Sequence, residues 1–287
     1  MPRTTVSGIG VEYELLGEPG APAVAITPGG RFTKESPGLR ELGEAVAAGG
    51  RRVLLWNRPN CGGSDLCFDA ESESELHGRT LTQLIRQLEL GPTTLAAGSA
   101  GSRVSLIAAS RDPEAVSHLV LWWVSGGVLG LMSLAMFYCS ESATAASRGG
   151  MQAVADAPCW AEQIRRNPKN RDIILAQDPD VFIETMQRWA SFFTPTPISP
   201  VPGMSPADFA KLTMPVLIFR NGKSDLSHTR RTSEWAHEMI PHSVLKEPPW
   251  PDHEWNDRSV EAFPLGGHGL FKNWPMMAPH ILEFTGR

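Results

Sequence analysis

Ser99 stands in Ala97-Gly98-Ser99-Ala100-Gly101, between an apolar run that ends at Ala97 and a helix-like run over residues 103–110. Small neighbours let a strand turn abruptly into a helix, leaving the serine hydroxyl clear in a strained, exposed position. At the helix N-terminus, backbone N–H groups face any negative charge that develops on a substrate. The pattern is a nucleophile elbow in which Ala97 replaces the first glycine of G-x-S-x-G. A serine hydroxyl also needs a base to take its proton and a third group to orient that base. Asp225 ends Arg220-Asn221-Gly222-Lys223-Ser224-Asp225, just past the apolar run 216–219, and suits the third role.

Three histidines compete for the role of base. His268 lies in Leu265-Gly266-Gly267-His268-Gly269 ahead of a final helical run, His228 lies three residues after Asp225, and His253 lies in Pro251-Asp252-His253-Glu254-Trp255. The glycine-rich setting and the following helix favour His268. Asp252, His253 and Glu254 are adjacent residues of an extended loop and point apart, so they read as a solvated loop and no metal is expected. Cys61 sits in a glycine turn without an elbow and reads as a small packing residue.

The elements that must position these groups alternate. Residues 8–16 read as an edge strand, and 23–27, 53–56, 94–97, 116–124, 214–219 and 243–246 as further strands; 39–48, 75–90, 102–110, 233–240 and 275–284 read as helices. Buried strands alternating with helices imply an α/β fold, a mostly parallel central sheet covered on both faces, with ligands at the carboxyl ends of its strands. Residues 126–210 are not needed by that alternation and are rich in Met, Phe and Trp. They are expected to form a helical cap inserted into a core made of residues 1–125 and 211–287. Most of its aromatic residues should form the cap's own core, with a minority lining an apolar substrate pocket.

A chain of 287 residues, 41% hydrophobic, is long enough for one large core. Its net charge of −5 shows no basic footprint, so nucleic acid is not an expected partner. Cys61, Cys67, Cys139 and Cys159 have neither zinc-site nor disulfide-framework spacing, and the N-terminus lacks the apolar stretch of a signal peptide. A reducing, cytoplasmic setting follows. Residues 119–139 are nearly continuously apolar, but Ser125-Gly126-Gly127 interrupts them, so they read as a buried strand and then an apolar helix rather than a membrane span. The expected partner is a small-molecule substrate; a homodimer is left open.

The chain order Ser99, Asp225, His268 and the motifs around it resemble the α/β-hydrolase superfamily over essentially the whole length. Thr27-Pro28-Gly29-Gly30 sits where these enzymes carry a His-Gly oxyanion loop. The turn Asn57-Arg58-Pro59-Asn60-Cys61-Gly62-Gly63-Ser64-Asp65 is similar to the family's Asp-Arg-Pro-Gly-x-Gly-x-Ser-Asp, with Asn57 and Asn60 as departures. The resemblance implies that Ser99 attacks a carbonyl, His268 moves protons and Asp225 orients His268, with the amides of Gly30 and Ala100 as oxyanion hole. No cofactor is implied. Arg31, Arg188, Trp189 and Phe192 are candidate substrate contacts, the arginines for a carboxylate. The expected activity is hydrolysis of an ester, lactone or related carbonyl bond of an apolar substrate. The alternatives are carbon–carbon bond hydrolysis of ring-cleavage products, a lyase or cofactor-independent oxygenase, or a catalytically silent ligand receptor. Serine at the nucleophile position argues against epoxide hydrolase and dehalogenase chemistry, for which relatives use aspartate.

Overall fold

Apolar runs bounded by turn residues become the strands of one sheet. In the computed structural model, which describes residues 2–286, these are β1 (Arg3–Val6), β2 (Ile9–Leu16), β3 (Ala23–Thr27), β4 (Arg52–Trp56), β5 (Thr93–Gly98), β6 (Val116–Trp122), β7 (Val216–Phe219) and β8 (Val244–Lys246). Their order is β1-β2-β4-β3-β5-β6-β7-β8; β1 and β2 pair antiparallel, as do β2 and β4, and every other pair is parallel. The α/β sheet expected from the alternation is therefore present. Residues 8–16 are not its edge, however: β1 pairs outside β2, too short and too polar to be read from its pattern.

Helices cover both faces. They are α1 (Leu39–Ala48), α2 (Glu73–Gln87), α3 (Ala100–Arg111), α10 (Arg230–Met239), α11 (Glu254–Ala262) and α12 (Ala278–Thr285). Successive strand residues point to opposite faces. Leu54, Leu95, Leu119, Leu121 and Ile218 thus enter one core with Leu84 and Leu106, while Val53, Leu55, Val120, Trp122 and Leu217 enter the other with Leu42 and Ile281. Local caps set the helix starts: Ser72 Oγ accepts the Glu75 N–H (3.1 Å) before α2.

Between β6 and β7 lie α4 (Val128–Ala135), a π-helical turn (Met136–Ser140), α5 (Glu141–Ala155), α6 (Ala161–Arg166), α7 (Lys169–Leu175), α8 (Pro179–Ser191) and α9 (Pro206–Phe209). The apolar stretch 119–139 is thus a strand followed by helix, and α5 is kinked where Gly150 takes φ 63°. This insertion has a core of its own, in which Trp160, Phe182, Met186, Trp189 and Phe193 pack with Leu66 and Phe68 of the β4–α2 connection. Polar contacts fasten it to the sheet. Asn170 Nδ2 donates to Ser64 O (3.0 Å), its Oδ1 accepts the Leu66 N–H (2.9 Å), and Arg166 on α6 grips Glu35 with two bonds (3.0 and 3.1 Å).

Candidate active site

The carboxyl ends of β3, β5, β6 and β7 meet in register: Thr27 lies beside Ala97, Gly98 beside Trp122, and Leu121 beside Ile218. Ser99 follows β5 directly with φ 57° and ψ −129°, and Ala100 is the first residue of α3. A non-glycine residue at positive φ is strained, and such strain collects at functional sites. The glycines of the elbow are explained by what surrounds them. A Cβ on Gly101 would stand 2.2 Å from Thr27 O, and one on Gly98 would stand 2.2 Å from Trp122 Nε1. Neither clash involves position 97, and Ala97 is accommodated with full burial.

The base expected from sequence is corrected here. His228, not His268, meets the serine: its Nε2 lies 2.8 Å from Ser99 Oγ, and its Nδ1 lies 2.9 Å from Asp225 Oδ2. Asp225 also works on its own backbone, since Oδ1 accepts the N–H of Ser227 (2.9 Å) and of His228 (2.8 Å). This aspartate-centred turn brings a histidine only three residues away back over its own carboxylate. Ser99, Asp225 and His228 are all buried. His268 lies on the wall of the same cavity, but it is exposed and its ring has no hydrogen-bond partner among the described residues. Its loop turns through three glycines at φ 65°, 88° and 94°, which carry the side chain to the rim instead of to Ser99.

The turn holding Asp225 and His228 is anchored from both sides. The buried Asn221 accepts the Val124 N–H (3.1 Å) and donates to Val124 O (2.9 Å) and Thr229 O (3.0 Å), tying the exits of β6 and β7 together. His253 bonds Ser224 Oγ (2.8 Å), and Arg230 bonds Asp252 (2.5 Å). Of the segment read as a solvated loop, Asp252 and His253 form a turn with His253 exposed, whereas Glu254 starts α11 and is buried and bonded to Asn273 (2.8 Å).

Across the cavity, Gly29 packs so closely on the elbow that a Cβ there would lie 2.6 Å from Ser99 Cβ. Arg58 donates to the carbonyls of Gly29 (3.2 Å), Gly30 (2.7 Å) and Phe32 (3.3 Å) and so holds the shape of this loop. Gly30 lies on the cavity wall, and the Ala100 amide opens a helix and so has no acceptor within it. Arg31 borders the cavity with its charge already engaged: it pairs with Glu73 (3.1 Å), donates to Tyr138 O (3.0 Å) and lies over the Trp160 ring (4.3 Å). Burial pushes the Cys61 thiol up to about 11, which keeps it protonated and inert.

The remaining substrate candidates lie elsewhere. Arg188 and Trp189 both bond Ala70 O (3.1 and 2.9 Å), and Trp189 is buried in the insertion's own core. Phe192 lines a separate cavity of about 390 Å³ with Val201 and Met204. Helical spacing alone does not say which face of α8 looks inward. The cavity of Ser99, about 1070 Å³, takes Leu134, Met136 and Phe137 from the insertion and Phe263 and Phe271 from the sheet domain.

No family model matches the chain. A curated relative, the 2-hydroxy-6-oxononadienedioate/2-hydroxy-6-oxononatrienedioate hydrolase of Cupriavidus pinatubonensis, is 36% identical over 87 residues. That match spans 30% of this chain and 29% of the relative. The enol-lactonase of Burkholderia xenovorans LB400 superposes over 100% of both chains with a TM-score of 0.58 and 18% identity. A serine hydrolase involved in carbazole degradation superposes over 99% of this chain and 98% of its own, with a TM-score of 0.63 and 16% identity. The chain has the α/β-hydrolase fold.

Proposed function

We propose that this α/β-hydrolase-fold chain is a serine hydrolase that cleaves an ester or lactone of a small-to-medium apolar substrate through Ser99, His228 and Asp225. One observation carries the reading: a strained elbow serine lies 2.8 Å from an imidazole that a buried carboxylate holds by its other nitrogen. As Ser99 Oγ bonds to the carbonyl carbon, its proton passes to His228 Nε2, and Asp225 keeps the Nδ1 proton in place. The amides of Gly30 and Ala100 receive the negative charge on the carbonyl oxygen. His228 then protonates the leaving alcohol and next takes a proton from the water that releases the acyl group. Leu134, Met136, Phe137 and Phe263 around the cavity suit an apolar substrate body.

A second reading, hydrolysis of a carbon–carbon bond in a ring-cleavage product, is favoured by the match to the Cupriavidus relative. It uses the same serine and base with a carbon leaving group. The test is a fluorophosphonate probe with the modified residue located by mass spectrometry, beside turnover of esters, lactones and vinylogous diketones. Labelling at Ser99 with ester or lactone turnover is the expected result. Diketone cleavage without ester turnover selects the second reading, and an unlabelled Ser99 overturns both.

A further inference from the structure

Five tryptophans converge on the proposed base, and the mechanism above gives them no role. Trp123 lies nearly parallel to the His228 ring, with centroids 5.9 Å apart and planes at 18°. Trp255 stands perpendicular to it at 4.4 Å and 89°. Behind them, Trp250 and Trp274 pack on Trp123 at 5.5 and 5.7 Å, and Trp122 packs on Trp274 at 4.9 Å. Resting on the proposed reading of Ser99 and His228, we infer that Trp123 and Trp255 are positioning residues for the base. Their indoles fix the imidazole's roll, and the Trp123 face stabilises the imidazolium that forms when Ser99 gives up its proton.

The two hydrogen bonds of His228 leave this work undone. Both lie in the ring plane, through Nδ1 and Nε2, so they fix where the ring is but resist poorly its rotation about the line joining the two nitrogens. A parallel ring and a perpendicular ring block that rotation from two directions. The turn holds the backbone of His228 in place, but its hydrogen bonds to Asp225 set no roll angle for the ring.

Trp123 is itself held against its preference. It takes φ 47°, an outlier for a bulky side chain, and such strain persists only where the surroundings enforce it. They do so here: Asn221 grips both backbone groups of Val124, the next residue, while Trp250, Trp255 and Trp274 enclose the indole. A cation within about 6 Å of an indole face is attracted by the ring quadrupole, and a neutral imidazole is not attracted in this way. Stacking at this distance therefore favours the ring once it is charged, as it becomes when Ser99 Oγ attacks and gives its proton to Nε2.

The fluorophosphonate reaction isolates the step. The Oγ lone pair bonds to phosphorus, fluoride leaves with its bonding pair, and the hydroxyl proton moves to Nε2. Replacing Trp123 by mono-, di- and trifluorinated tryptophan weakens the ring quadrupole at nearly constant shape. The expected result is a stepwise fall in the maximal inactivation rate, by about 2- to 30-fold in total, with unchanged probe affinity. Trp123→Leu and Trp255→Leu should also slow maximal inactivation, and Trp123→Phe should recover most of the loss caused by Trp123→Leu. A rate that stays flat across the fluorinated series while Ser99 is labelled overturns the inference and leaves the site reading intact. Failure of the unsubstituted protein to label at Ser99 overturns both.

Discussion

Two loops bring a histidine to one cavity, and they are built in opposite ways. The turn 225–228 is stiff: one carboxylate takes two backbone N–H bonds and a ring N–H, and the imidazole is buried between Ser99, Trp123 and Trp255. The loop 266–269 is permissive, with left-handed glycines on both sides of an exposed imidazole that has no hydrogen-bond partner among the described residues. A general base must stay within hydrogen-bond reach of the proton it takes. What distinguishes the two histidines is what holds them, because each lies on the wall of the same cavity.

The largest expected effect sets the two loops directly against each other. His228→Ala should cut turnover by about 10⁴- to 10⁶-fold, as Ser99→Ala should, and the double variant should be hardly worse than either single one. His268→Ala should cost less than about 10-fold, the scale of a substrate contact and not of a base. Steady-state kinetics on all four variants checks this, and a reversed ranking of the histidines would break the comparison.

Next in size is the contrast between the insertion's own core and its cavity face. Trp189→Ala should lower stability by about 3–5 kcal/mol in chemical denaturation while leaving the ranking of substrates unchanged. Phe137→Ala, on the cavity wall and half exposed, should instead change preference between substrates by about 10- to 200-fold with little loss of stability. Matched panels of acyl chain lengths read the difference. A shifted ranking in the Trp189 variant would restore a substrate role that its burial argues against.

Glycine substitutions compare the loops more finely. A Cβ on Gly222 would lie 2.0 Å from Asp252 O, so Gly222→Ala must displace the turn that carries Asp225 and His228. A Cβ on Gly269 meets nothing within 4 Å, so Gly269→Ala costs only the strain of its φ of 94°, about 1–3 kcal/mol. Probe labelling should slow by more than tenfold in the Gly222 variant and change little in the Gly269 variant. Equal effects would mean that the stiffness of the first loop is not what positions the base.

The smallest effect concerns how the insertion is fastened. Burial raises the Glu35 carboxyl, but hydrogen bonds from Arg166 and Lys34 outweigh it and hold the group at about 2, below its ordinary 4.5. A depressed carboxylate contributes stability above its unfolded value and loses it as pH falls through the folded one. The Arg166 contact should therefore loosen between pH 4.5 and about 2. Hydrogen exchange across residues 161–175 measures it. Glu35→Gln should remove the acid-dependent part, and an identical pH response in that variant would assign the loosening to another group.

Much of the fold was legible because its signals are local. Residues 23–27 and 39–48 fold over the very spans that their hydrophobic periods predict, and Ser99 follows β5 as the small residues around it require. α11 was missed because its polar, Trp-containing start reads as a loop until Trp255 has a partner to pack on. In the site, Ser99 and Asp225 were legible as residues just past the carboxyl ends of apolar strands. The base was not. Glycines around His268 signal freedom of the backbone, which a turn into a site and a turn out to solvent need alike.

The sequence by itself determined the α/β alternation, the insertion between β6 and β7, and a strained serine at the head of a helix, because propensity, period and small-residue sterics act over a few neighbours. Only the tertiary structure decided which histidine reaches Ser99 and which aromatic side chains line the cavity. Those choices depend on where the end of β7 lies against the end of β6, on the Asp225 turn that folds His228 back, and on Trp123 and Trp255, which lie far apart in the chain. Side-chain direction within a few ångströms comes from packing between distant segments, and no local pattern encodes it.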